Sequence, residues 1–256
     1  MPANPISLHP LSGLPLFEPG DDLAAIIGHA LRSSGLGMQN GDVLVVAQKI
    51  VSKVEGRYVD LDSVQPSERA RELAERTGKD PRHVEVVLSE TEEVVKVGPQ
   101  LIIVTHRLGF VMANAGVDES NIEHGEGAGR VLLLPRDPDG SAAALKCELD
   151  AMFGVSCGVL INDSFGRPWR NGVVGVALGA AGVPALVNRI GEQDLFGRKL
   201  KVTEVATGDE IASAASLLMG QGAEGIPAVL VRGLRMEAPA APAASLLRDR
   251  SRDMFR

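Results

Sequence analysis

Two short apolar runs constrain this chain more than any other feature. VLVVAQ (43–48) follows a Gly-Asp turn, and GVLIND (158–163) is apolar until its last two residues. Runs this short and this rich in branched residues read as buried strands. The second poses a problem, because it ends on Asp163 and continues into two glycines, two arginines and the only tryptophan. An unpaired buried carboxylate costs several kcal/mol or more. Asp163 is therefore exposed, caps a turn, pairs with an arginine, or holds a metal.

The remaining pattern alternates strands and helices. SERARELAERTG (67–78) has helical charge spacing and a glycine stop. VEVVLSE (84–90), LIIVTH (101–106) and FVMANAG (110–116) read as short strands. VLLLPRDPDGSAAALKCELDAMFG predicts a strand, a capped entry, and a helix ending at Gly154. LKVTEVAT, GDEIASAASLLMG and IPAVLVRG predict strand, helix and strand, arranged as a crossover unit. Glycines clustered in 109–129 and 166–191 suggest long shaped loops around a site. EAPAAPAASLLRDRSRDMFR begins as an Ala/Pro linker, with its Leu-Leu and Met-Phe pairs docking the end.

At 256 residues the chain can bury a sizeable core, and with 3% aromatics that core is built from Val, Leu, Ile and Ala. The net charge of -7 argues against general affinity for nucleic acid or a membrane surface. Two cysteines without C-x-x-C spacing, and no signal-like or membrane-length apolar stretch, make a cytoplasmic protein the expectation.

Stock signatures fail. There is no Walker loop, and GLGMQNG (35–41) has the wrong spacing for a dinucleotide fingerprint. GVSCG (154–158) lies between a helix and a strand, the reverse of a nucleophile elbow, which leaves Ser156 a turn serine. Asn162-Asp163-Ser164 fits a glycosylation sequon without a secretory context, and the five histidines lack zinc spacing.

Four stretches carry chemistry. ANAGVDESN (113–121) offers hard oxygens suited to Mg²⁺ or Mn²⁺, or else an Asx-turn before a helix cap. Asp163 and Ser164 offer a carboxylate and a hydroxyl to a cation, with Arg167 and Arg170 ready for an anionic substrate; the alternative is an Asp163–Arg salt bridge. Lys49 and Lys53 flank a strand end, where Lys53 points at a phosphate or stays a solvated charge. LLMGQGAEGIP (217–227) wraps a purine or phosphate, or simply caps its helix. Two oxygen-ligand clusters beside basic residues fit metal-assisted phosphoryl chemistry of unstated reaction.

With GLPLF, GDVLVVAQKIVSKVEG, ANAGVDESN, LLPRDPDGSA, INDSFGRPWRNG, GEQDLFGRKL and VATGDEIASAASLLMGQGAEGIP, the chain resembles the coenzyme F420-0:γ-glutamyl ligase family, in order from about residue 5 to 233. The resemblance implies an α/β fold particular to that family, with mixed sheets and flanking helices. It implies one ligase domain over 1–236 and a tail over 237–256, without the flavin-reductase-like second domain of bacterial two-domain members. It further implies a homodimer that uses GTP to attach L-glutamate to F420-0 through an acyl phosphate and then extends a γ-linked tail. Mg²⁺ or Mn²⁺ (two ions) and K⁺ are the implied cofactors. Carried over by motif, Asp118, Asp163, Ser164 and Gln221 are expected metal ligands. Leu14, Pro15, Leu16, Phe17, Lys53 and Asn121 are expected GTP contacts, and Met219, Gly220, Gln221, Gly222, Ala223, Glu224, Gly225 and Ile226 are expected to line the nucleotide pocket. Two positions depart from the pattern: Gln48, counted among the expected nucleotide contacts, stands where Ser is common, and Ser164 where Thr is common. Asp118, Asp163, Arg167 and Arg170 form the expected catalytic group, the arginines on physical grounds alone. Rival readings are a same-fold amide ligase for another carboxylate, a metal-dependent phosphohydrolase, and a silent nucleotide binder.

Overall fold

The computed structural model describes residues 5–122 and 129–254. In chain order its strands are β1 (Ser7–Pro10), β2 (Val43–Ala47), β3 (Tyr58–Asp60), β4 (Thr91–Gly98), β5 (Leu101–His106), β6 (Val111–Ala113), β7 (Arg130–Leu132), β8 (Gly158–Arg167), β9 (Arg170–Ala181), β10 (Val187–Asn188), β11 (Glu204–Val205) and β12 (Ala228–Arg232). The helices are α1 (Leu23–Ser33), α2 (Gln48–Val54), α3 (Glu68–Thr77), α4 (Pro81–Ser89), α5 (Pro138–Phe153) and α6 (Thr207–Met219). The fold is mixed α/β.

The main sheet runs β1-β12-β2-β8-β9 and is antiparallel except where β2 pairs β8 in parallel. Its central strands are apolar on both faces because both faces are covered. Leu44, Val46, Val159 and Ile161 join the core beneath α1 and α5, while Val43, Val45 and Leu160 join the core beneath α6. A second, antiparallel sheet β4-β5-β6 packs against α3 and α4, and a β3-β7 ribbon links it to the main body.

Several expectations are corrected. Residues 84–89 belong to α4, not a strand: Asp80 caps the helix, Pro81 opens it, and Val84, Val87 and Leu88 recur at helical spacing. Lys49 and Lys53 sit on helix α2, which begins directly after β2. The strand carrying Asp163 does not stop there. It continues to Arg167 and turns through Pro168 and Trp169 into the twelve-residue β9, so much of the expected 166–191 loop is a hairpin. The glycines of β9 serve close packing instead. A Cβ at Gly175 would collide with the Ala212 carbonyl of α6, and one at Gly179 with the Pro138 carbonyl of α5. Only Glu204–Val205 of LKVTEVAT is strand, and it pairs β10 rather than β12, so no crossover unit forms there.

The Ala/Pro-rich stretch is bonded to the body. Ala241 exchanges backbone hydrogen bonds with Val183 and Ala185, and the Asp139 carboxylate accepts from Ala180, Ala243 and Ala244 N–H. Leu246 and Leu247 pack onto the two main cores. Met254 is exposed, and Phe255 lies outside the described residues.

Candidate active site

The parallel pair β2–β8 sets the location. Both strands reach their carboxyl ends at one edge of the sheet, the position where open α/β sheets bind ligands. β12 begins at that same edge, opposite β2, and the chain leaving β1 passes it as well. A cavity of about 380 Å³ opens there. Leu14, Pro15, Leu16 and Phe17 form one wall, Gln48, Lys49 and Lys53 of α2 another, and Asp163 and Ser164 the floor. Asn121 and the turn after α6 (Met219, Gly220, Gln221, Gly222, Ala223, Gly225 and Ile226) close it.

Hydrogen bonds hold the loops together. Lys53 Nζ donates to the Asn121 carbonyl (2.8 Å), and Asn121 Nδ2 donates to the Gly222 carbonyl (3.1 Å). Ser164 Oγ donates to Gln221 Oε1 at 2.8 Å, joining the tip of β8 to the loop after α6. Asp118 does not line the cavity wall but reaches it through Lys49, whose ammonium lies 2.7 Å from Asp118 Oδ2. The backbone of Asp118 is pinned to Leu132 by a pair of hydrogen bonds, and the neighbouring Glu119 carboxylate contacts His83 Nδ1 at 2.6 Å.

The two aspartates are electrostatically unlike. Burial opposes ionisation of Asp118, but Lys49 and the N–H and hydroxyl of Ser120 outweigh it and hold the carboxyl below its ordinary range. Burial pushes Asp163 up to about 6; the charge of Asp118 adds to this, and the Ser164 N–H and the charge of Lys49 work against it.

The donor set fits a hard divalent cation: two carboxylates, a hydroxyl and an amide oxygen. Among the described residues no three His, Cys, Asp or Glu side chains cluster as a complete metal cage.

Other expected residues fall elsewhere. Arg167 donates to the Gly172 carbonyl and lines a separate cavity of about 610 Å³ with Asp209 and Glu210, and Arg170 sits exposed at the hairpin end. Within this chain neither arginine joins the cavity, because the hairpin carries them past Asp163. Glu224 turns back on its own loop, where Gly222 N–H donates to it. Gln48 lines the wall but is buried, its Oε1 engaged by Ser52 Oγ at 2.9 Å.

Asn162 was not anticipated. It is buried and donates through Nδ2 to Ser216 Oγ and Met219 Sδ, tying β8 to the last turn of α6. Its polar character at the end of an apolar run was the available signal.

The chain matches the family described as F420-0:Gamma-glutamyl ligase over residues 13–233. It belongs to that family. It is also 53% identical over 244 residues to the coenzyme F420:L-glutamate ligase of Methanopyrus kandleri, covering 93% of each chain. The proteins of that name from Methanothermobacter thermautotrophicus and Methanocaldococcus jannaschii are 47% and 44% identical, with the match covering 99% and 94% of their lengths. Family membership accounts for the ordering of the seven motifs, five of which converge on this one cavity.

Proposed function

We propose that the protein is a GTP-dependent ligase that joins L-glutamate to the carboxylate of F420-0 and extends a γ-linked tail. One observation carries the reading: in a chain of this family, Asp163, Ser164, Gln221 and two lysines line a single cavity at the carboxyl ends of β2 and β8, with Asp118 bound to one of those lysines.

Leu14–Phe17 and the 219–226 turn would hold the nucleotide, with apolar walls excluding water from the reacting phosphate. Lys53, and Lys49 once released from Asp118, would meet phosphate oxygens as point charges. Asp118, Asp163, Ser164 and Gln221 would hold the divalent cation. Bound there, it would neutralise triphosphate charge and favour in-line displacement at the γ-phosphorus.

The acceptor carboxylate attacks that phosphorus and GDP departs, leaving an acyl phosphate. The free amine of glutamate then attacks the acyl carbon, inorganic phosphate leaves with the bonding pair, and the nitrogen loses a proton. A carboxylate is a poor electrophile; activation gives it a good leaving group, and the site must keep water from the intermediate until the amine arrives.

We also propose a homodimer. Trp169 at the hairpin turn and Leu195, Phe196 and Val202 on the 189–203 excursion are large apolar side chains left 84% or more exposed, the kind of surface that a second copy covers. Light scattering on the purified chain tests this, and a monomer at micromolar concentration overturns it.

The function is tested by incubating the protein with GTP, Mn²⁺, L-glutamate and F420-0 and reading the product mass. Glutamate-sized increments that require GTP are expected. Phosphate release without an increment would instead support a hydrolase.

A further inference from the structure

We propose that Lys49 is an internal counter-cation that holds the metal position at Asp118 closed until a triphosphate draws it away. This rests on reading the cavity as a metal–triphosphate site.

All three donors of an ammonium group have partners here. Lys49 Nζ lies 2.7 Å from Asp118 Oδ2, 2.7 Å from Ser120 Oγ and 3.2 Å from the Ser120 carbonyl. The other Asp118 oxygen, Oδ1, already accepts from the N–H and hydroxyl of Ser120. Both Asp118 oxygens are therefore engaged while Lys49 stays in place. A divalent ion needs a carboxylate oxygen at about 2.0–2.1 Å. Such an ion and the ammonium would then share Oδ2 as like charges within a few ångströms of each other.

The means of release are also present. Lys49 has a flexible four-carbon stem, lies on the cavity wall and shares the α2 face with Lys53 at i, i+4. Phosphate oxygens entering the cavity give the ammonium another anionic partner and leave Asp118 Oδ2 to the cation. Metal and nucleotide then bind cooperatively, and the nucleotide-free protein has little hold on free divalent ions.

The test is a nucleotide-free Mn²⁺ titration followed by electron paramagnetic resonance, using the full chain with Lys49→Met and Lys49→Arg. Lys49→Gln serves as a second neutral variant, with circular dichroism melts confirming folding. Removing the charge should tighten Mn²⁺ binding by about tenfold or more, since one like charge near the ion disappears. Lys49→Arg should bind as weakly as wild type.

The inference falls if folded neutral variants bind Mn²⁺ no more tightly than wild type. Adding Asp163→Asn separates the two levels. If Asp163→Asn weakens Mn²⁺ binding but the neutral Lys49 variants do not strengthen it, the metal site stands and the counter-cation role alone fails. If the tightened binding is indifferent to Asp163→Asn and to Asp118→Asn alike, the ion is bound elsewhere, and both readings fail.

Discussion

Replacing Glu90 by Gln tests the junction that supports the site. Glu90 follows α4 and is almost fully buried, with Arg57 Nη2 at 3.0 Å from Oε1 and Arg107 Nε at 2.8 Å from Oε2. Arg57 also donates to the Leu134 carbonyl, so this carboxylate bonds the smaller sheet to the segment following α2. Burial works against its ionisation, yet His106, Arg107 and Arg57 together hold it down at about 2 instead of 4.5. His106 Nε2 stands 3.3 Å away at an angle too poor for a hydrogen bond, so we assign the larger share to the two arginines. The displacement corresponds to roughly 3 kcal/mol favouring the ionised carboxylate.

The sign follows from the direction. A carboxyl depressed in the folded state contributes its full stability above its unfolded value and loses it as pH falls toward the folded one. Here the loss runs from about 4.5 down to about 2. Glu90→Gln keeps the shape but leaves two guanidinium groups without a counter-charge, at a cost of about 3–5 kcal/mol. Urea denaturation of both proteins at pH 7 should show that gap, and repeating it down to pH 2.5 should show it narrowing. A gap below about 1 kcal/mol at pH 7, or one unchanged between pH 5 and pH 2.5, would refute the reasoning.

Two further predictions concern the site itself. Asp118→Ala or Asp163→Ala should abolish GTP-dependent addition of glutamate while the protein stays folded, because triphosphate charge is left uncompensated; near-normal rates by mass spectrometry in either variant would sink the ligand assignment. Gly175→Ala forces α6 away from β9 and should cost about 1–3 kcal/mol in chemical denaturation. Activity should fall with it, since α6 ends in the loop that carries Gln221; an unchanged denaturation midpoint would mean the helix accommodates the methyl freely.

How far the sequence disclosed this site depends on which forces act on each residue. The strands β2, β8 and β12 were legible because burial on both faces leaves apolar runs, and the helix caps of α3 and α5 because their chemistry is local. The α4 error arose where local signals competed: a valine-rich segment favours strand by composition, but Asp80 and Pro81 commit it to helix. The arginines failed for a different reason. Their proximity to Asp163 in sequence suggested proximity in space, whereas a hairpin advances more than 3 Å per residue and moves Arg167 well beyond the cavity. Lys49 illustrates the converse. Seen as part of a strand end it was only one of two flanking charges; on a helix it shares a face with Lys53, and both reach a loop some seventy residues away in sequence. Local chemistry can be read from residue order, but a site assembled from three loops depends on the strand order β12-β2-β8 that brings them to one edge. Single substitutions at Asp118, Asp163 or Lys49 therefore test the assembly as well as the residue, and the metal titration tells them apart because it reads the assembled oxygens directly.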